Sequence, residues 1–254
     1  MMEKAIIEGW DVYLLAGIGS TRAFFTDCKA ELAARLARSG KEPVIRELFP
    51  YGDQTQSMVR QIYDVHGDLS RVRSARLGGR SAAQQVRERS LGKPVLLIGH
   101  SGGGVAAYQA ASMLADEGDI PDFRVVQLGS PKVPIREEHK NRVSYFYAVD
   151  EALKYRDPIT RIGTWGGWRR SKLGLLVWDR RKFAPAQVAT LTLLGGHPHY
   201  FRSRAPYVHH ERGSNLSLTL NAILGAGAGA AAEAQAAAAA TYESAIGANI
   251  LHES

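Results

Sequence analysis

Cysteine is nearly absent from this 254-residue sequence, and long apolar runs are missing as well. The single Cys28 excludes an intrachain disulfide, which is typical of a protein from a reducing compartment. The N-terminus lacks the unbroken apolar stretch of a signal peptide, because charged side chains stand at Glu3, Lys4, Glu8 and Asp11. We therefore expect a cytoplasmic protein, and the missing apolar runs exclude a membrane-spanning bundle.

The charge balance gives little indication of a nucleic-acid partner. The sequence has 32 basic and 25 acidic residues and a formal net charge of +7, but the basic residues are spread along the chain and interrupted by acids. We therefore expect no nucleic-acid binding, whereas the positive charge is compatible with peripheral contact to an anionic membrane. With 45% hydrophobic and 22% charged residues, the composition is that of an ordinary globular protein and excludes disorder.

Strand and helix patterns alternate along the chain. Short apolar or β-branched runs predict strands at 11–16, 43–49, 94–99, 123–128, 143–149 and 188–194. Periodic apolar positions predict helices over 23–38 and 103–117. The polar stretch 54–89 predicts one or two surface helices broken at Gly78-Gly79. This alternation predicts an α/β fold, in which a mostly parallel sheet carries helices on both faces and binds ligands beyond the carboxyl ends of its strands.

A Gly-x-Ser-x-Gly pattern, Gly99-His-Ser-Gly-Gly103, joins the clearest predicted buried strand to the helix that follows. Such a sharp turn presents its serine, Ser101, at a helix N-terminus, where backbone N–H groups point into the ligand crevice. Ser101 is therefore a candidate nucleophile. The N–H of Gly102 is a candidate donor to the oxyanion that forms when a serine attacks an acyl carbon. The alternative is a glycine-rich turn that only packs the helix against the sheet.

A serine hydroxyl needs a histidine as general base and, in most cases, a carboxylate that orients the histidine. On sheets with this kind of turn, the acid and then the histidine follow the serine, on loops after later strands. The candidate acids are Asp150, Glu151 and Asp157, which follow the strand ending at position 149. The candidate bases are His197 and His199, which follow the strand ending at position 194.

The chain resembles the α/β-hydrolases of the lipase and esterase type. The similar segments, which cover most of residues 10–224, are LLAGIGS at 14–20, VLLIGHSGGG at 95–104, LGSP at 128–131, RDPITRIG at 156–163 and GGHPHYF at 195–201. The resemblance implies an α/β-hydrolase fold and a serine hydrolase that works through an acyl-enzyme without a cofactor. It also implies a small-molecule or lipid-like ester as substrate, with thioesters, lactones and amides open to the same machinery.

The same resemblance ranks the candidate acids and bases. In such enzymes the acid often stands in an Asp-Pro-(Val/Ile) segment, which resembles the sequence at Asp157 and favours this residue over Asp150. Glu151 is interpreted as a solvated surface charge. The histidine often stands in His-x-x-Tyr-Phe, which favours His197 over His199.

The loop after the first predicted strand, Ala16-Gly-Ile-Gly19, is expected to supply a second oxyanion donor, the backbone N–H of Ile18. Lipase-like relatives commonly carry His-Gly where this chain has Ala16-Gly17, but a backbone donor does not depend on that side chain. A nucleotide-binding reductase is the rival interpretation of this loop, because its two glycines follow a strand. Arg22 stands at the place of the third glycine of that fingerprint and disfavours it.

The remaining histidines are assigned no catalytic chemistry. His100, inside the turn, is expected to pack or to form a hydrogen bond, as the histidine at this place does in the resembling family. His197, His199, His209 and His210 are not accompanied by Glu or Cys at ligand spacing, so we expect no metal.

Residues 1–224 are predicted to form one α/β-hydrolase domain, and 225–254 an Ala/Gly-rich C-terminal extension without chemistry. Within the domain, residues 163–186 contain three tryptophans and two basic clusters. This segment either covers the active site and contacts an acyl chain or a membrane, or it is a packed hairpin or helix with core tryptophans. Two further functions stay open: a catalytically silent binding protein with this fold, and a thioesterase.

Overall fold

The computed structural model describes residues 9–37, 44–52, 65, 68 and 76–225. Its strands are β1 (Asp11–Leu15), β2 (Ile45–Leu48), β3 (Val95–His100), β4 (Phe123–Leu128), β5 (Val143–Val149), β6 (Gly167–Arg170), β7 (Leu176–Asp179), β8 (Gln187–Thr192), β9 (Val208–His209) and β10 (Gly213–Ser214). Its helices are α1 (Thr26–Ala37), α2 (Leu77–Ser90), α3 (Gly102–Glu117) and α4, described over 215–225.

A six-stranded sheet forms the centre of the protein. Its strand order is β2-β1-β3-β4-β5-β8, and every neighbouring pair is parallel. Parallel strands are buried on both faces, which explains why β1 and β3 read as continuous apolar runs. All six predicted strands are present, and the predicted α/β fold with a mostly parallel sheet is confirmed.

Alternate residues of the strands point to two separate cores. On one face of β1, Val12 and Leu14 lie in a cluster with Phe25 and Cys28. On the other face, Tyr13 and Leu15 belong to a cluster that includes residues of α2 and α3. Burial raises the pKa of the Cys28 thiol, so this single cysteine is a neutral packing residue.

Helix α3 begins directly after β3 and ends where its sequence predicts. Gly118 follows the last turn with a φ of 74°, and its N–H binds the carbonyl of Ala115 at 3.2 Å. A left-handed residue after the last turn is the common end of a helix, and glycine adopts it without a steric cost. None of the described helices combines the length and the apolar composition needed to cross a bilayer.

The predicted helix break at Gly78-Gly79 is wrong. Both glycines lie in the first turn of α2, which continues to Ser90. A Cβ on Gly78 would overlap the ring of Tyr51, and one on Gly79 would lie 2.5 Å from Cβ of Gln109. Because these glycines have no side chain, the first turn of α2 packs closely against Tyr51 and Gln109. Most of the predicted helical stretch before α2, and the extension from 226 on, lie outside the described residues.

The segment 163–186 contains the hairpin β6–β7, whose strands pair antiparallel. The prediction of core tryptophans holds for one of the three. Trp165 is buried, whereas Trp168 and Trp178 are exposed. Whether the segment covers the active site stays a prediction.

Asp68 is a buried acid near the first turn of α2. Its Oδ2 accepts hydrogen bonds from the hydroxyl of Tyr51 at 2.7 Å and from the N–H of Gly79 at 2.8 Å. Burial outweighs these bonds and raises the pKa of Asp68 to about 6. An acid whose pKa is raised by folding stabilises the folded state below its unfolded pKa, near 4, and this contribution is lost as the pH rises through 6.

We therefore expect wild type to lose stability relative to Asp68→Asn between pH 4 and pH 7. The expected loss is about 2 kcal/mol of unfolding free energy, because one pKa unit corresponds to about 1.4 kcal/mol. Urea denaturation across this pH range measures the difference in unfolding free energy between the two proteins. Effects of other titrating groups are common to both and cancel in this difference. A difference that is constant with pH would contradict the prediction.

Candidate active site

Ser101 occupies a strained turn between β3 and α3. Its φ of 57° and ψ of −133° are unusual for a residue with a side chain, and its N–H binds the carbonyl of Leu128 at 2.9 Å. The flanking glycines are required sterically. A Cβ on Gly99 would overlap Gly103, and a Cβ on Gly103 would overlap the carbonyl of Leu15. The glycines therefore do pack the helix against the sheet, and this packing leaves Ser101 at the N-terminus of α3.

The loop after β1 lies directly against this serine. A Cβ on Gly17 would lie 2.5 Å from Cβ and 3.0 Å from Oγ of Ser101. The next residue, Ile18, packs partly against the core, which holds the loop in place. Within the described residues, the N–H groups of Ile18 and Gly102 have no hydrogen-bond partner. The role of these two N–H groups as oxyanion donors stays a prediction.

Asp157 and His197 form a close pair. Nδ1 of His197 lies 2.9 Å from each carboxylate oxygen of Asp157, whose side chain is fully buried. Because a carboxylate only accepts hydrogen bonds, Nδ1 carries the proton in this pair and Nε2 is left as the basic nitrogen. The N–H of Ile159 also donates to Asp157 at 3.0 Å. The pair has the arrangement of an oriented general base.

The alternative candidates lie elsewhere. Asp150 binds the N–H of Lys154 at 2.8 Å and forms an ion pair with Arg156 at 3.0 Å. The hydrogen bond from Lys154 and the charge of Arg156 lower the pKa of Asp150. Glu151 is exposed and pairs with Arg212 at 2.7 Å, as expected for a surface charge.

His199 is also turned away from the Asp157–His197 pair. Its Nδ1 accepts a hydrogen bond from the N–H of Gly196 at 3.0 Å, and its ring stacks on Tyr207 with 4.4 Å between centroids. Burial lowers the pKa of His199. His197 and His199, two positions apart, therefore have different surroundings, and of these two only His197 contacts a carboxylate.

His100, which precedes Ser101 in the chain, is in contact with His197. Its Nε2 donates to the carbonyl of His197 at 2.9 Å, and the two rings stack with 4.7 Å between centroids. Burial lowers the pKa of His100 to about 3, so the ring is neutral and acts in packing, as the sequence indicates. No hydrogen bond between Ser101 Oγ and His197 is found among the described residues. In enzymes without substrate such bonds are often long.

Tyr200 is a site residue that the sequence analysis missed. Its hydroxyl donates to Oδ2 of Asp157 at 2.8 Å and accepts from the N–H of Ala148 at 2.8 Å. A Cβ on Gly129 would overlap Asp157 and lie 2.9 Å from the Tyr200 ring, so this glycine makes room for both side chains. The signal was present, because Tyr200 belongs to the GGHPHYF segment, but its partner stands on another loop.

No cluster of three or more His, Cys, Asp or Glu side chains suited to a metal ion occurs in the described part of the chain. The rings of His209 and His210 stack with 4.5 Å between centroids. His209 also pairs with Glu151 at 3.3 Å. Their contacts are those of a surface turn.

Several solved structures are similar to this chain. The RedJ thioesterase from the prodiginine biosynthetic pathway of Streptomyces coelicolor is 21% identical over 48% of this chain, with a TM-score of 0.34. An extracellular α/β-hydrolase from a Paenibacillus species is 16% identical over 52% of this chain, with a TM-score of 0.33. A protein of Xanthomonas campestris pv. campestris assigned to the α/β-hydrolase superfamily is 17% identical over 86% of this chain, with a TM-score of 0.38.

These matches differ in extent. The chain spans 40% and 46% of the length of the first two proteins and 96% of the third. No protein-family model and no curated protein matches the sequence. With identities this low, function cannot be transferred, and the α/β fold follows from the sheet of this chain itself.

Proposed function

We propose that this protein, whose parallel sheet and strand–serine–helix turn are those of the α/β-hydrolase fold, is a serine hydrolase that cleaves carboxylic esters. One observation carries the proposal: the pair of buried Asp157 and half-buried His197 lies beside the turn that holds Ser101 in a strained conformation. An oriented histidine beside a serine is the arrangement that makes the serine hydroxyl nucleophilic.

The first half of the reaction forms an acyl-enzyme. Nε2 of His197 takes the hydroxyl proton of Ser101 as Oγ attacks the acyl carbon of the ester. The resulting oxyanion accepts hydrogen bonds from the N–H groups of Gly102 and Ile18. His197 then gives its proton to the leaving alcohol, and the carbon–oxygen bond of the ester breaks. Asp157 accepts the hydrogen bond from Nδ1–H of His197 and stabilises the positive charge of the protonated ring.

The second half releases the acid. His197 takes a proton from water, whose oxygen attacks the acyl carbon bound to Ser101. The second oxyanion uses the same two N–H donors. When it collapses, His197 returns the proton to Oγ of Ser101, and the carboxylic acid leaves. The cycle balances without a cofactor.

Fluorophosphonate labelling tests this proposal. We expect wild type to form one covalent adduct per chain, located on Ser101 by mass spectrometry, because the probe reacts with activated serines. Ser101→Ala and urea-unfolded wild type should both remain unlabelled. The same preparations are then tested on p-nitrophenyl esters of increasing acyl length and on a matching thioester. A folded wild type that forms no adduct at Ser101 would refute the hydrolase and favour a silent binding protein.

A further inference from the structure

The hairpin β6–β7 is an ordered projection with its own small sheet. Its register pairs Trp168 with Trp178 and Arg170 with Leu176. The connecting turn is closed by the N–H of Ser171, which binds the carbonyl of Leu175 at 2.8 Å. These bonds fix the backbone of the hairpin and therefore which side chains share a face.

The root of the hairpin is attached to the main sheet. Trp165 packs on Tyr145 of β5 with 4.8 Å between ring centroids, and its carbonyl accepts from the N–H of Phe183 at 2.8 Å. The carbonyl of Phe183 in turn accepts from Ile135 at 2.9 Å. The root is therefore anchored, whereas the strands and the tip extend into solvent.

The projecting part carries an unusual density of exposed apolar side chains. The exposed fractions are 85% for Leu173, 65% for Leu175 and Leu176, 60% for Trp168 and 50% for Trp178. The two tryptophans are cross-strand neighbours whose rings lie 5.5 Å apart, so they form one aromatic surface behind the leucine tip. Exposed apolar patches of this kind mark interaction sites.

Basic side chains stand next to this apolar surface. They are Arg169 and Arg170 of β6, Lys172 of the connecting turn, and Arg180, Arg181 and Lys182 directly after β7. Asp179 is the single acid among them, and it pairs with Arg169 at 3.2 Å. The stretch therefore has a net charge of +5, while the whole chain has +7. Most of the excess positive charge of the protein is concentrated at this projection.

We propose that the hairpin docks the protein on an anionic lipid surface, with Leu173, Leu175 and the two tryptophans in the interface and the basic flanks on lipid phosphates. The tip leucines and the two tryptophans supply apolar area for the interface. Arg170 and Lys172 near the tip, and Arg180 and Arg181 after β7, supply cations on long side chains that bind lipid phosphates. The side chains form a projection with the charge of one sign, which complements a broad negative surface. This inference does not depend on the proposed ester hydrolysis.

Vesicle flotation with the full chain tests the docking. We expect wild type to bind vesicles of phosphatidylcholine with about a third phosphatidylserine and to remain free with phosphatidylcholine alone. Leu173→Ser/Leu175→Ser should lower the partition coefficient about tenfold, because the tip loses its buried apolar area. Arg180→Gln/Arg181→Gln should lower it about tenfold as well, because two headgroup contacts are lost.

The matched control is Leu91→Ser/Leu153→Ser, which removes two exposed leucines outside the hairpin. This variant and Ser101→Ala should bind as wild type does, so that a failure of catalysis is separated from a failure of docking. Equal binding of wild type and the two hairpin variants, or no binding by wild type, would overturn the proposal. The proposal would also be overturned if wild type self-associated without lipid and Leu173→Ser/Leu175→Ser abolished this association. The hairpin would then be assigned to a protein interface.

Discussion

His197→Gln lowers kcat for ester hydrolysis by about 10⁵-fold to 10⁶-fold, while His199→Gln leaves it within about threefold of wild type. The large loss is expected because glutamine cannot take up the proton of Ser101. The small one is expected because His199 stacks on Tyr207 and makes no contact with Asp157. Steady-state hydrolysis of a p-nitrophenyl ester measures both.

The matched pair is informative because the two histidines are two positions apart and undergo the same change. Circular dichroism and thermal melting establish that each variant is folded before its activity is compared. Comparable losses in both variants would indicate damage to the 197–199 turn instead of removal of a base. A large loss in His199→Gln alone would identify His199 as the base and contradict the geometry.

Asp157→Asn is the second large effect. We expect kcat to fall about 10⁴-fold, because an amide can present its NH₂ group to Nδ1 of His197 and favour the wrong tautomer. Both carboxylate oxygens already accept from protein donors, Oδ1 from Ile159 and Oδ2 from Tyr200. The amide NH₂ must therefore face one of these donors, and we expect a stability loss of about 1 to 3 kcal/mol as well.

Asp150→Asn is the control for this change. Asp150 is half-buried and pairs with Arg156, and it does not contact His197, so the kcat of Asp150→Asn should stay within about threefold of wild type. Urea denaturation measures the stability of both variants, and ester hydrolysis measures their activity. If Asp150→Asn caused the larger loss of kcat, Asp150 would replace Asp157 as the orienting acid.

The sequence predicts those features that depend on neighbours along the chain. The apolar run before Gly99 and the small residues after it predict a strand, a sharp turn and a helix, and all three are present. The choice between Asp150 and Asp157 does not follow from the strand, because Asp150 stands nearer to its end. Asp150 is turned away by Lys154 and Arg156, which follow it in the same loop.

The errors arise where distant residues decide the structure. Gly78 and Gly79 are weak helix formers, but packing against Tyr51 and Gln109 outweighs this preference. Tyr200 was missed because its contact with Asp157 joins two loops that are far apart in the chain. The catalytic roles of Ser101, Asp157 and His197 stay predictions that the variants above address.

The glycines around the site have a consequence for how its substrate range can change. A side chain at Gly17 would collide with Ser101, and one at Gly129 would collide with Asp157. Substitutions at these two glycines would displace Ser101 or Asp157 and so would disturb catalysis instead of changing the shape of the substrate pocket. Variation in acyl preference, in nature or in a directed library, must therefore come from side chains farther from the reacting atoms, where substitution leaves the geometry of the chemistry intact.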